Sequence, residues 1–408
     1  MTTETYLRPP SASDDELRAT FTPVFDAVAV GNVDRERSRI FPRDEVRRLQ
    51  EAGFGVLRIP VRDGGFGASL QQTFALLADL AVADPNVAHV FRNHLAFVED
   101  RLNAPRSPSN DAWLKRFLAG EFVGGGWTEA NDVTLANIAS TVTARDDHWV
   151  VTGAKYYATG SLYADWLDVL GKDDDGALRT ALVRADDPGV ELVDDWRGFG
   201  QRTTASGSAR YAEARAEDGD VFPAADRFAY QAHFYQTAML SVLTGITRAA
   251  LRDGTVRLRA RGRNYPQGLT AVPSDDAQLL QVIGQVSADA FAAEAALDRA
   301  TRTLDAITAA RTDGGDVERL LVDAEVAVAQ AQLVIVAAAL RATTEVFDAL
   351  GASGVSEEHG LDRHWRNART LASHNPRVYK ARLLGDWVVN GRSPVSNLAA
   401  LGRGGQGN

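Results

Sequence analysis

Chemistry in this chain must come from groups other than thiols or from a borrowed cofactor, because the sequence holds seven histidines and no cysteine. Without a thiol there is no disulfide, no thiolate metal site, no iron–sulfur cluster and no cysteine nucleophile. His359 and His364 beside Glu357 and Glu358 suggest metal ligands, but the spacing fits no helical i, i+4 pair, and no metal is expected. The sequence has no G-x-G-x-x-G after a strand, no G-x-x-x-x-G-K-[ST], no H-E-x-x-H and no G-x-S-x-G, which argues against a Rossmann domain or a phosphate loop. Three segments remain that combine aromatic and hydroxyl residues with turn glycines: Gly125-Gly126-Trp127-Thr128-Glu129, Lys155-Tyr156-Tyr157-Ala158-Thr159-Gly160-Ser161, and Phe199-Gly200-Gln201-Arg202-Thr203-Thr204-Ala205-Ser206-Gly207-Ser208. Each of these residues taken alone also reads as an ordinary core or hairpin residue.

The elements that must position them fall into three blocks. Between Ser13 and Leu118 apolar residues recur at spacings of three and four, as in Phe41 to Ala52 and Leu70 to Ala83, with breaks at Arg58 to Gly67 and Asn103 to Asn110. From Phe122 to Phe222 short β-type runs appear at Thr141–Ala144, Trp149–Thr152, Trp166–Leu170 and Thr180–Val183, with hairpin turns at Asp146-Asp147 and Asp173 to Gly176. After Pro223 long helices are expected over Ala224–Ala260, Asp275–Arg311, Asp316–Leu350 and Pro376–Asn390, which implies an antiparallel four-helix bundle. The expected class is α+β, mostly α, with domains at 1–120, 121–222 and 223–408. Met239 to Ile246 is apolar on more than one side and Val322 to Leu340 is alanine-rich, which favours a buried subunit contact, and Gly402 to Asn408 reads as a mobile tail.

The chain has 408 residues, 45% hydrophobic and 24% charged, with a net charge of −10. That balance argues against nucleic acid or an anionic membrane as a partner. Met1-Thr2-Thr3-Glu4 opens no secretory signal, and the apolar run Leu333 to Leu340 is too short to cross a bilayer, so a cytoplasmic protein is expected.

With its three motifs in this order, the chain resembles the acyl-CoA dehydrogenase superfamily over almost its full length. The resemblance implies helical, β and four-helix-bundle domains with a flavin held between the β domain and the bundle. A flat isoalloxazine ring needs an aromatic wall and hydroxyl or backbone donors, which Trp127, Thr128, Tyr157, Thr159 and Ser161 can provide. A dehydrogenase of this family uses a glutamate soon after an Arg-Asp-Ala-like motif. Here Arg366-Asn367-Ala368-Arg369-Thr370 is followed by Leu371-Ala372-Ser373-His374-Asn375-Pro376, with no carboxylate.

The stretch Leu361 to Thr370 with His374, and Gly200-Gln201-Arg202 with Thr204 to Ser208, is similar to one branch: the reduced-flavin-dependent monooxygenases typified by dibenzothiophene monooxygenase and the sulfur-acquisition oxidoreductases. The resemblance implies that FMNH2 arrives from a separate NAD(P)H:flavin reductase and reacts with O2 to a C4a-(hydro)peroxyflavin. One oxygen atom then passes to a small organic substrate, and the resemblance tilts toward organosulfur compounds. It implies catalytic roles for His374, as the donor that holds the peroxide, and for His89, Thr159 and Ser161. The alternative for His374 is a helix-start histidine bonded to backbone. Asn93 and His94 are expected at the substrate, Asn93 standing where the branch has a tyrosine, and Gly126 and Trp127 where it often has asparagine. Cofactor contacts are expected from Arg202, Arg369, the turn Gly351-Ala352-Ser353, and Arg263, the last reaching FMN in a neighbouring subunit. FMN is favoured over FAD, and a homotetramer is implied. The other readings are an FAD-dependent acyl-CoA dehydrogenase with a relocated base, an N-hydroxylase of the same fold, and a non-catalytic flavin-fold scaffold.

Overall fold

The computed structural model describes residues 5–129 and 138–394; the expected tail at Gly402 to Asn408 lies outside them. The N-terminal block holds α1 (Asp14–Ala29), α2 (Asn32–Ser38), α3 (Arg43–Glu51), α4 (Leu70–Ala83), α5 (Pro85–Asn103) and α6 (Pro108–Leu118). Its starts are written in side chains. Ser13 with Glu16 and Ser69 with Gln72 form capping boxes, and Asp84 accepts from Asn86 N and Val87 N with Pro85 at the first helical position.

Between the helical blocks lies one eight-stranded sheet: β1 (Val123–Gly126), β2 (Thr141–Ala144), β3 (Trp149–Lys155), β4 (Trp166–Lys172), β5 (Leu178–Arg184), β6 (Val190–Val193), β7 (Ser208–Ala216) and β8 (Val221–Pro223). The order is β6-β7-β3-β2-β4-β5-β8. β1 runs parallel to the first half of β4, Val123 to Gly126 opposite Trp166 to Val169, while β2 meets β4 at Thr141–Lys172. Strands β1, β6, β7 and β8 went unread in the sequence. β7 is Ser-Ala-Arg-Tyr-Ala-Glu-Ala-Arg-Ala, with no β-branched residue, and it is a strand because it pairs with β3 and β6 on both sides.

The third block is α7 (Gln231–Ala260), α8 (Ala277–Asp313), α9 (Val317–Glu345), α10 (Asp362–Ala372) and α11 (Arg377–Asn390). The helix expected from Ala224 starts at Gln231, because Ala224–Asp226 is a 3-10 turn and Arg227 is extended. The separate helix α10 was not expected. By length and composition Val317–Ala349 would pass as a membrane span, yet here it packs against α7, α8, α10 and α11.

One apolar cluster joins α1, α4, α5 and the bundle through Phe21, Phe54, Phe74, Phe91 and Phe234. Helix α5 runs through the middle of the molecule, and every residue of it except Arg92 is buried. Its charged end is neutralised in place: Arg58 Nε bonds Glu99 at 2.9 Å, while Arg227 bonds Asp100 at 2.9 Å and Asp168 at 2.5 Å.

Candidate active site

The second and third motifs lock onto each other. Ala158 N donates to Gly207 O (3.1 Å), Gly160 N to Thr204 O (2.9 Å) and Ser161 Oγ to Ala205 O (3.3 Å). Tyr157, Gln201 and Ala205 sit at φ +58°, +52° and +52°, a left-handed conformation that costs a non-glycine residue about 1 kcal/mol or more each and persists where surrounding bonds hold it. Gln201 N donates to Asn367 Oδ1 at 2.5 Å, and a Cβ at Gly200 would collide with the Arg366 carbonyl. Glycine therefore lets this loop lie directly on α10. That helix is fixed in turn to α7, where Asp253 accepts from Arg363 (2.6 Å) and His364 (2.9 Å).

One hydrogen per hydroxyl sets a direction across the motifs. Thr204 donates to Gln201 O (2.9 Å), so Ser206, 2.7 Å away, donates to Thr204, and Thr159, 2.9 Å further, donates to Ser206. Thr159 and Ser161 both spend their hydrogens inside the protein. The expectation that they donate to a flat ring is corrected: each offers acceptor lone pairs.

Helix α5 brings His89, Arg92 and Asn93 to this loop at i, i+3 and i+4, one face of a helix. His89 Nδ1 donates to Gln201 Oε1 (2.9 Å), and Asn93 Nδ2 donates to Thr159 O (2.9 Å). Asn93 also packs against Gly125, where any side chain would collide with its amide, so it ties α5 to the loop. From beyond the end of α10, His374 Nε2 lies 3.2 Å from Arg92 Nη1, whose plane covers the Tyr235 ring at 5.3 Å. The His374 side chain is exposed to solvent on one side and packed against protein on the other. Those surroundings, with Arg92, hold its pKa at about 3, and burial with Arg92 and His374 keeps His89 well below the usual histidine value. Both imidazoles are neutral beside a guanidinium. His374 Nε2 accepts from Arg92, so its N–H is at Nδ1, toward the Asn375 side chain. This corrects the peroxide-holding donor role expected of His374. The cationic donor beside it is Arg92, which sequence reasoning passed over; a lone charge three residues after His89 was the signal.

Other expected residues fall elsewhere. His94, assigned to substrate, is five residues from His89 and so about 140° around the helix. It accepts from Val123 N (3.2 Å), bonds Gly55 O (3.2 Å) and stacks on Phe122 at 4.6 Å, so it is a core residue. Trp127 gives its indole N–H to Asp168 (3.0 Å) and packs 6.5 Å from Tyr235, which leaves it as a wall without a donor. Thr128 is exposed, and its carbonyl accepts from Tyr156 N (2.8 Å). Tyr157 is half-exposed against Trp196 at 5.8 Å. Arg202 donates to Glu36 O (3.2 Å) and Arg369 to Ser373 Oγ (3.2 Å).

A second group gathers at the far end of α7. Arg261 covers Tyr265 at 5.6 Å, the Tyr265 hydroxyl accepts from Ala352 N (3.3 Å), Gly351 has φ +63°, Ser353 Oγ donates to Leu350 O (3.2 Å), and Arg263 is exposed. From Tyr235 to Arg261 along α7 is about 39 Å at 1.5 Å per residue. Within one chain Arg263 therefore lies far from His374. A cavity of about 290 Å³ between Arg43, Gln50, Tyr163 and Asp165 includes none of the expected site residues.

Residues 11–121 match the acyl-CoA dehydrogenase N-terminal domain and residues 237–377 the C-terminal domain, together well over half the chain. Dibenzothiophene monooxygenase of Rhodococcus qingshengii is 27% identical over 97% of this chain and 98% of its own length. A probable FMNH2-dependent monooxygenase, SfnC, of Pseudomonas putida is 27% identical over 90% and 93%. The crystal structure of TdsC from Paenibacillus sp. A11-2 with FMN and indole superposes with a TM-score of 0.85 at 25% identity, over 93% of this chain and 98% of that one. The chain belongs to the acyl-CoA dehydrogenase superfamily, in the branch that holds the dibenzothiophene monooxygenases.

Proposed function

We propose that this chain is a monooxygenase that takes reduced FMN from a separate flavin reductase and adds one oxygen atom of O2 to a small organic substrate, organosulfur compounds being the first class to test. The observation that carries it is the contact set of His374. Where a dehydrogenase of this superfamily needs a carboxylate, the partners of His374 are Arg92 and Asn375, neither of which can take an α-proton as a glutamate would.

The residues present suit a flavin. Nε2 of His89, Nε2 of Gln201 and Nδ2 of Asn367 are buried without partners among the described residues, and orphaned polar atoms clustered in one place call for a ligand. With the lone pairs of Thr159 and Ser161 they supply acceptors and donors for the edge of the ring, and Trp127 supplies an aromatic wall. When bound, reduced FMN supplies the two electrons that split O2, one oxygen going to substrate and the other leaving as water. The chain orients the ring through the 155–161 and 199–208 loops, keeps His89 and His374 neutral, and offers Arg92 as the cationic donor beside His374. Tyr157, Thr128, Arg202 and Arg369 hold supporting positions around those loops.

Arg263, Gly351, Ala352 and Ser353 serve the site of a neighbouring copy, because the length of α7 separates them from His374. A homotetramer built on the bundle provides that neighbour, and α9 is then a core helix of a soluble cytoplasmic enzyme. The test is incubation with a flavin reductase, NADH, FMN, labelled O2 and dibenzothiophene or a dialkyl sulfide. One labelled oxygen in the product, dependent on the reductase, is expected. Reductase-independent reduction of bound FAD by an acyl-CoA would overturn the assignment.

A further inference from the structure

Arg92 is the one residue of α5 that is not buried, and it has no carboxylate partner among the described residues. Its Nη1 touches two neutral groups, Met239 Sδ at 3.4 Å and His374 Nε2 at 3.2 Å, while its Nε is buried without an acceptor. The nearest charged network, Arg101, Arg227, Asp100 and Asp168, is balanced within itself and leaves nothing over for Arg92. A partly buried charge without a counter-ion is costly, and the guanidinium is held below its usual pKa by burial. Its Nη2 has no hydrogen-bond partner among the described residues and is left to an acid group, which a guanidinium binds through charge-assisted hydrogen bonds.

We infer that Arg92 is an anion subsite for the substrate, and that the substrate is a small organic acid, a carboxylate or a sulfur oxyanion, whose charged group docks on Arg92 beside His374. This rests on the monooxygenase reading for the word substrate, while the subsite itself is a binding claim. The phosphate of FMN is the competing source of the same chemistry.

The experiment is equilibrium titration of the FMN-loaded protein, and separately of flavin-free protein, with benzoate against benzamide and benzenesulfinate against methyl phenyl sulfoxide. We expect at least one anion to bind about tenfold or more tighter than its neutral counterpart. Arg92→Gln should abolish the difference, and Arg92→Lys should restore part of it. FMN affinity should change less than twofold in Arg92→Gln, and thermal stability should stay level or rise. Equal binding of anion and neutral compound, or no binding of any anion below about 10 mM, would overturn the subsite, as would a tenfold loss of FMN affinity in Arg92→Gln, which would seat the cofactor's phosphate there. Anion preference without oxygen transfer would instead count against the monooxygenase reading alone.

Discussion

His89 and His94 lie five residues apart on one buried helix and do opposite things. His94 has both ring nitrogens bonded to backbone and a face on Phe122. His89 has one partner, Gln201, and an orphaned Nε2. Beyond His94, the charges of α5 close on themselves: Arg58 holds Glu99, and Asn103 and Tyr230 bond the same residue. Beside His89, strained backbone, unpartnered amides and an uncompensated arginine meet in one place. Single polar atoms are left over elsewhere too, Arg101 Nε, Asn103 Oδ1 and Arg227 Nε among them, but beside His89 they belong to residues that bond one another, His89, Gln201 and Asn367, where one ligand can complete them together.

Breaking the satisfied end should cost stability most. Arg58→Met leaves Glu99 buried without its ion pair and should lower unfolding free energy by about 3–5 kcal/mol, read by denaturant melts. Next comes acid. Protonating His94 puts a second donor against Val123 N, and burial holds its pKa near 4 from an ordinary 6.5. The unfolded chain therefore takes up the proton first, and stability falls as pH drops from 6.5 toward 4, by up to about 3 kcal/mol. His94→Gln should flatten that slope by about one proton. At the unsatisfied end the effect moves to chemistry: His374→Ala removes the acceptor that holds Arg92 and should cut oxygenation about tenfold or more, with little change in melting temperature. The smallest effect is that of His89→Phe, which should weaken FMN binding about tenfold while costing about 1 kcal/mol of stability; a larger loss of stability than in His94→Phe would erase the contrast.

The long helices were legible because capping residues and apolar spacing are local, as at Ser13, Ser69 and Asp84. The motifs were legible as segments, but the direction of their hydrogen bonds was not, since Thr159 donates inward only because Thr204 and Ser206 already point away from it. His94 was misplaced although its i+5 spacing from His89 set it on another face. Strand β7 was missed because alanine, arginine and glutamate do not announce a strand whose partners lie up to some sixty residues away. Arg92 was missed because a charge is read as solvated until the structure shows that no carboxylate meets it.

The central claim is that this chain binds reduced FMN and governs its reaction with oxygen. Its most direct test is to load the protein anaerobically with reduced FMN, mix it rapidly with oxygenated buffer and follow the flavin spectrum. The account predicts a spectral species distinct from reduced and oxidised FMN that outlives any formed in free solution, and a shorter life for it in His374→Ala. Reoxidation at the rate of free FMN, with and without an organosulfur acid present, would contradict it.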